Sequence, residues 1–461
     1  MTGPISFVTD EPIRTEDELL DYLRSGARPR DQWGVGLEYE RLGLDLSAGR
    51  GIPYGGERGV ERVLLDLADR FGWEADLESG RPVGLVRGGT RIALEPGGQV
   101  ELSGDVHREF GTMRTELAAH LQETAAVGRP LGIAWAALGV HPWSRVEEID
   151  WIPKARYGLM GPFLGSRGAL AHHMMKGTAG IQVNLDYAGE EDAAEKIRVA
   201  MGITSIVSAI CANSPVYAGR LTGFLSRRMH IWSDTDPARC GLLAFALRED
   251  FRFRDYLEYA LDVPVMFVQR SGRLIPTDGI PFRTFLREGR GAIRATHADW
   301  ALHLTTIFTE VRLKTYIEVR GADSVMPSMA IGVAALWKGI LYDAQARRLA
   351  WSLVARPSFA ERAAFHGEVA VLGPEARLGA SRALDLALDL VRIAREGLRR
   401  IGDEADLLDP IEASLVEEGG CPAARLARAW REGEIRSPAD LLETGARDEA
   451  RFLEEFSRPR R

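Results

Sequence analysis

Four short segments of this chain place acids and amides on one face of an extended strand and apolar side chains on the other. The first reads GVGLEYERLGLDL over residues 34–46. Side chains alternate across a strand, so Glu38 and Glu40 share a face, while Leu37 and Tyr39 take the other. Like charges side by side on a strand repel. A hard cation between them removes that cost. Mg²⁺ takes oxygen ligands and keeps room for water and substrate phosphates.

Three later segments repeat the pattern. In RIALEPGGQVELS (91–103), Gln99, Glu101 and Ser103 share a face after the Pro96-Gly97-Gly98 break, and Glu95 stands just before it. In IQVNLDY (181–187), Gln182, Asn184 and Asp186 oppose Ile181, Val183, Leu185 and Tyr187. In TYIEVR (315–320), Tyr316, Glu318 and Arg320 oppose Ile317 and Val319. A sheet built this way packs its apolar side on helices and turns its polar side to a ligand-binding cleft.

Bulk properties narrow the function. The chain has 461 residues, 45% apolar and 27% charged, enough for a large core of one to three domains. A formal net charge of −8 argues against non-specific nucleic-acid binding. No run reaches the ~18 uncharged apolar residues of a membrane span, and MTGPISFVTDEP at the N-terminus does not read as a signal peptide. The three cysteines, Cys211, Cys240 and Cys421, lack the spacing of a zinc site and read as thiols in a reducing cytoplasm.

In order along the chain, Thr15 and Glu18 form a capping box for a helix from Glu16. Helical periodicity recurs over 57–71, 110–127 and 190–212, the second with Met113, Leu117, His120 and Leu121 on one stripe. TGFLSRRMHIWSDTD (222–236) has no clean period and reads as an active-site loop. LDVPVMFVQ (261–269) reads as a strand. The glycine-rich 161–168 reads as a mobile loop, because it lacks the lysine and threonine of a phosphate loop. From Met326 onward the pattern is helical, with loops at 402–410 and 417–423. The expected class is α+β, with a catalytic domain over 1–325 and a helical region over 326–461 packed on it.

EPGGQVELSG (95–104), PKARY (153–157), QVNLDY (182–187), ANSPVYAGRLTGFLSRRMHIWSDTD (212–236), YALDVPVMF (259–267) and HLTTIFTEVRLKTYIEVRGAD (303–323) together resemble the plant-type glutamate–cysteine ligases, a family with bacterial members. The resemblance spans roughly residues 30–350. It departs at MMKGTAGI (174–181) and at SVMP after Asp323, and the cysteine positions do not reproduce the regulatory disulfides of plant members. It implies a glutamine-synthetase-like curved antiparallel sheet of about six strands lining the site. It implies ATP as co-substrate: glutamate becomes a γ-glutamyl phosphate, and the cysteine amine displaces phosphate, in the first step of glutathione biosynthesis. The partners are then small molecules, with no nucleic acid and no membrane, acting on a monomer or homodimer. A different amine acceptor, and a non-catalytic nucleotide-binding scaffold, are the alternatives.

Each residue then has an expected role. Glu38, Glu40, Glu101 and Glu318, with the Gln182 carbonyl, are expected Mg²⁺ ligands. Glu95 is a further ligand or a structural partner. Arg320 shares a face with Glu318 and suits the transferred phosphoryl group or the acyl phosphate, the two forming the catalytic pair. Arg228 and Trp232 are expected to hold glutamate, with Arg227 an alternative clamp. Arg156 and Tyr157 contact nucleotide or substrate. Asn184 supports the sheet or touches ligand. His230, His303, Asp234 and Asp236 read as structural.

Overall fold

The computed structural model describes residues 9–417 and 420–457. The expected loop at 417–423 and the N-terminal arm therefore lie partly outside the described residues.

The two-faced segments all enter one antiparallel sheet of nine strands: β1 (Val35–Asp45), β2 (Glu74–Glu78), β3 (Arg81–Arg87), β4 (Thr90–Leu94), β5 (Val100–His107), β6 (Ile133–Ala136), β7 (Gly180–Leu185), β8 (Val311–Leu313) and β9 (Ile317–Asp323). The order is β8-β9-β7-β1-β5-β4-β3-β2, with β6 paired to the far end of β1. The expected count of about six is therefore too low. The meander β2–β3–β4 carries the sheet on beyond β5. Its outermost strand, EADLE, has no apolar alternation to announce it.

Register brings the polar residues together. On β1, Glu38 stands opposite Ser103 of β5 and Gln182 of β7, and Glu40 stands opposite Glu101. On β9, Glu318 stands opposite Asn184 of β7 and Arg312 of β8. Opposed residues share a face, so the register sets the wet surface directly.

The dry surface is equally consistent. Val35, Leu37, Tyr39, Leu102, Ile181, Val183, Leu185, Ile317 and Val319 all enter one hydrophobic cluster. Helices Glu190–Ile210, Pro327–Leu341 and Ala383–Arg400 pack into the same cluster. Nearly every residue of Pro327–Leu341 is buried, so it lies between the sheet and the outer helices. The helices after Met326 thus share the core of the sheet rather than forming a second one. No described helix is long and apolar enough to cross a membrane.

Three local expectations change. Residues 227–233, expected as loop, form a short helix capped by Ser226, whose Oγ accepts the Met229 N–H at 3.2 Å. Seven residues are too few to display a helical period. The glycine-rich 161–168 begins inside a helix, Ala155–Gly165, whose last turn carries Pro162 and so forgoes one hydrogen bond. In 261–269 only the end is extended, as Phe267–Arg270, because a helix runs on to Asp262.

The turn that launches β5 has no slack. A Cβ on Gly97 would lie 2.2 Å from the Lys176 carbonyl oxygen, and Gly98 has φ +81°. Gly97→Ala must therefore push the turn away from the 171–177 helix. The expected cost is about 1–3 kcal/mol, read as a lower urea midpoint; an unchanged midpoint would show that the turn yields freely.

Candidate active site

The wet face of the sheet opens into a cavity of about 270 Å³. Glu38 and Glu40 from β1, Glu101 from β5, Gln182 from β7 and Arg320 from β9 line it. Glu95 and Gln99 join them from the turn between β4 and β5. Lys154, Arg156 and Tyr157 come from the start of the 155–165 helix, and Arg228 and Trp232 from the 227–233 helix. Twelve of the thirteen expected site residues thus line one cavity or touch a residue that does. Asn184 stands behind the wall and donates to Glu38 at 2.8 Å.

The carboxylates divide into two electrostatic classes. Glu40 accepts the Gly180 N–H at 2.6 Å and the Gln182 amide at 3.1 Å. Burial, then the neighbouring Glu95, nevertheless push its carboxyl up to about 7. Burial and the charges of Glu38, Glu95 and Glu40 push Glu101 well above the usual carboxylate range, though Ser103 donates to it. These acids face one another without enough positive charge to balance them.

Glu318 is the opposite case. It is fully buried, and Arg312 grips both its oxygens at 2.6 and 2.8 Å. Lys314 approaches to 2.9 Å, and Arg320 donates to it as well. Burial pushes Glu318 up, but the three cations outweigh it and hold the carboxyl well below its ordinary value. Its charge is spent on neighbours, and it does not line the cavity. Arg320, which also donates to Gln182, presents its guanidinium to the cavity beside Trp232 and Phe308.

The two arginines of the 227–233 helix part company. Arg228 lines the cavity, donating to the backbone carbonyls of Arg320 at 3.1 Å and Gly321 at 3.4 Å. Arg227 lies outside it, over the Tyr217 ring. A hydrogen-bond frame around Asp323 fixes this helix. Asp323 accepts from Asn213 N, Ser214 Oγ and the capping Ser226 Oγ, at 2.9, 2.7 and 2.9 Å. His230 stacks on Phe224, His303 binds the Ala260 carbonyl, and Asp236 pairs with Arg239, all structural roles.

The donor set suits a hard cation and an anionic ligand. Its candidate metal donors are all oxygens: the carboxylates of Glu38, Glu40, Glu95 and Glu101 and the amides of Gln99 and Gln182 beside them. Among the described residues no three acid, His or Cys side chains converge closely enough to hold an ion alone. That arrangement fits Mg²⁺ shared with phosphate oxygens and water. Buried polar atoms without a hydrogen-bond partner also lie on the cavity wall, at Arg156 Nε, Arg228 Nε and Trp232 Nε1, and behind it, at Asn184 Oδ1.

Reasoning on the sequence missed Arg312 and Lys314, which neutralise Glu318. The signal was present in VRLKTYIEVR: a tight hairpin across 314–316 sets Arg312 opposite Glu318. It also missed the methionines Met160, Met174 and Met175 that form the apolar wall. They carry no charge pattern to mark them.

Residues 34–440 match the family described as glutamate–cysteine ligase family 2. The chloroplastic glutamate–cysteine ligases of Brassica juncea and Arabidopsis thaliana are each 37% identical over 427 residues, covering 92% of this chain and 82% and 81% of theirs. The crystal structure of glutamate–cysteine ligase from Francisella tularensis in complex with AMP superposes with a TM-score of 0.51 at 13% identity, over 91% of this chain and 89% of that one. It shares the fold.

The two classes of carboxylate predict opposite effects of one substitution. A folded-state carboxyl raised to about 7 binds more protons than the unfolded chain below that pH, so ionised Glu40 lowers stability as pH rises toward 7. In metal-free protein Glu40→Gln should stabilise by up to about 3 kcal/mol at pH 8 and by nothing at pH 4. Glu318→Gln leaves three buried cations short of their partner and should destabilise by about 3 kcal/mol or more. Urea titrations at both pH values check this; effects of the same sign would refute the division.

Proposed function

The chain belongs to glutamate–cysteine ligase family 2, and we infer that it joins the γ-carboxylate of L-glutamate to the amine of L-cysteine at the expense of ATP, the first step of glutathione biosynthesis. One observation carries this reading: the same cavity holds uncompensated acids on one wall and the cations Arg320, Arg228 and Arg156 on the others. A triphosphate needs both, one through a metal and one directly.

The division of labour follows from the geometry. Glu38, Glu40, Glu95, Glu101 and Gln182 would hold Mg²⁺, which supplies charge neutralisation to the phosphate oxygens when bound. Arg228, fixed by two backbone carbonyls, orients the glutamate carboxylate, and Trp232 offers it an unpartnered indole N–H. A γ-carboxylate oxygen of glutamate then attacks the terminal phosphorus of ATP, forming the acyl phosphate and releasing ADP. Arg320, held rigid by Glu318, faces the transferring phosphoryl group and balances its charge. The cysteine amine attacks the acyl carbon, phosphate leaves, and the amine loses a proton. Glu318 thus acts through Arg320 rather than as a metal ligand.

Residues 1–325 form the catalytic domain in this reading, since every lining residue of the cavity precedes Met326, and the helices after it brace the sheet. Among the described residues no disulfide joins the cysteines, which supports a reducing, cytoplasmic setting.

Protein supplied with ATP, Mg²⁺, glutamate and cysteine should release phosphate and form γ-glutamylcysteine. A panel of other amines identifies the acceptor. Phosphate release that no amine accelerates would refute the ligase reading. Glu38→Gln should lower kcat by on the order of 100-fold with little change in thermal midpoint; turnover within twofold of wild type would remove Glu38 from the site.

A further inference from the structure

Strand β9 is irregular where it carries Arg320. Val319 pairs with Val183 of β7 and Ala322 with Ile181, so two residues of β9, Arg320 and Gly321, stand against one of β7, Gln182. The extra residue makes a β-bulge, a device that re-aims groups beside active sites. Successive carbonyls of a regular strand point to opposite sides, and one side chain does not reach both. At the bulge the Arg228 guanidinium does, donating to the Arg320 carbonyl at 3.1 Å and the Gly321 carbonyl at 3.4 Å. The bulge is therefore the socket in which Arg228 sits.

The groups that hold the bulge do not line the cavity. The Arg320 N–H donates to the Glu310 carbonyl at 3.0 Å, and the Ser208 hydroxyl to the Gly321 carbonyl at 3.0 Å. The Glu310 side chain presses on Gly321 itself. A Cβ there would lie 2.5 Å from Glu310 Oε2, 2.7 Å from Ser208 Oγ and 2.9 Å from Thr204 Oγ1. Glu310 is a buried acid, with Thr204 Oγ1 3.5 Å from one oxygen and His366 Nε2 3.8 Å from the other. Ser205 Oγ lies 2.9 Å from His366 Nδ1, which leaves Nε2 to face the carboxylate.

His366 belongs to the helix Phe359–Leu372. One turn farther on, the Ala370 carbonyl of the same helix accepts the N–H groups of Leu225 and Ser226, both at 3.0 Å. That carbonyl is open to them because the residue four places on is Pro374, which has no N–H. Ser226 caps the helix that carries Arg228. One outer helix thus touches both parts of a clamp: the helix that bears Arg228 and, through Glu310, the bulge that receives it.

We propose that Glu310 and His366 are positioning residues for glutamate binding: His366 steadies the Glu310 carboxylate, Glu310 backs the bulge, and the bulge carbonyls set the angle of the Arg228 guanidinium. The proposal rests on the reading above in which Arg228 orients the glutamate carboxylate. It gives a helix beyond Met326 a share in substrate affinity as well as in bracing the sheet. The Arg320 side chain is held separately, by Glu318 and Gln182, so the phosphoryl group feels the change least.

Steady-state kinetics of the full chain, with each substrate varied in turn, test this. Glu310→Ala should raise the glutamate KM roughly tenfold and keep the ATP KM and kcat within about threefold of wild type. A purely structural loss does the reverse: it removes active molecules, so kcat falls and KM stays. Glu310→Gln refills the space behind Gly321 and should restore most of the glutamate affinity. His366→Ala, at a half-buried position, should raise the glutamate KM about threefold with little change in thermal midpoint. In an Arg228→Lys background, whose glutamate KM is already raised, Glu310→Ala should add less than about twofold, since both act on one contact. A glutamate KM unchanged in both Glu310→Ala and His366→Ala, or full additivity with Arg228→Lys, overturns the proposal and leaves the ligase reading intact. Wild-type protein that makes no amide overturns the ligase reading, and the proposal with it.

Discussion

Repulsion between the Glu40 and Glu101 carboxylates, opposed across neighbouring strands and withdrawn from water, is the constraint under which this sheet exists. Like charges in that position destabilise a sheet, and burial strengthens the effect by lowering the local dielectric. The backbone N–H of Gly180 and the amide of Gln182 soften it without cancelling it. The cavity is therefore a standing deficit of positive charge. In the proposed function this deficit is what draws a metal ion and, through the metal, phosphate. Glu318, one strand farther along, shows what full compensation looks like.

The dry side of the same strands makes this tolerable. Each polar residue on the wet face alternates with Val, Leu, Ile or Tyr in the main hydrophobic cluster. Complete burial of such a side chain stabilises by about 1.5–3 kcal/mol, so several together outweigh the strain opposite. Register does the rest. Sliding β1 by one residue against β5 would put Leu37 and Tyr39 in the cavity and the glutamates in the core. The fold and the site are thus enforced by one pattern, and the helices beyond Met326 matter to the chemistry because they hold that register from behind.

Rigidity also reaches the cations. Arg320 is fixed by Glu318 and Gln182, and Arg228 by two backbone carbonyls. The 227–233 helix that carries Arg228 is tied to β9 by Asp323 through Ser214 and Ser226. Positive groups preset in this way need little reorganisation when charge develops between them. A carboxylate such as Glu318, itself outside the cavity lining, fixes the angle of its neighbour Arg320.

How much of this was legible depended on range. Period-two alternation is a local signal, and it marked Glu38, Glu40, Glu101, Gln182, Glu318 and Arg320 as occupants of polar strand faces. The stretches shared with glutamate–cysteine ligases added Arg228, Trp232, Arg156 and Tyr157. Neither source separated Arg228 from Arg227, because adjacent residues in a helix too short to show a period look alike until the helix is docked. Neither revealed that Glu318 is consumed by Arg312 and Lys314. Which face each strand residue takes is written locally in the chain, since alternation is a property of a single extended segment. Which carboxylates are left without a compensating cation emerges on folding, because compensation depends on distances between side chains far apart in the chain or angled by a turn.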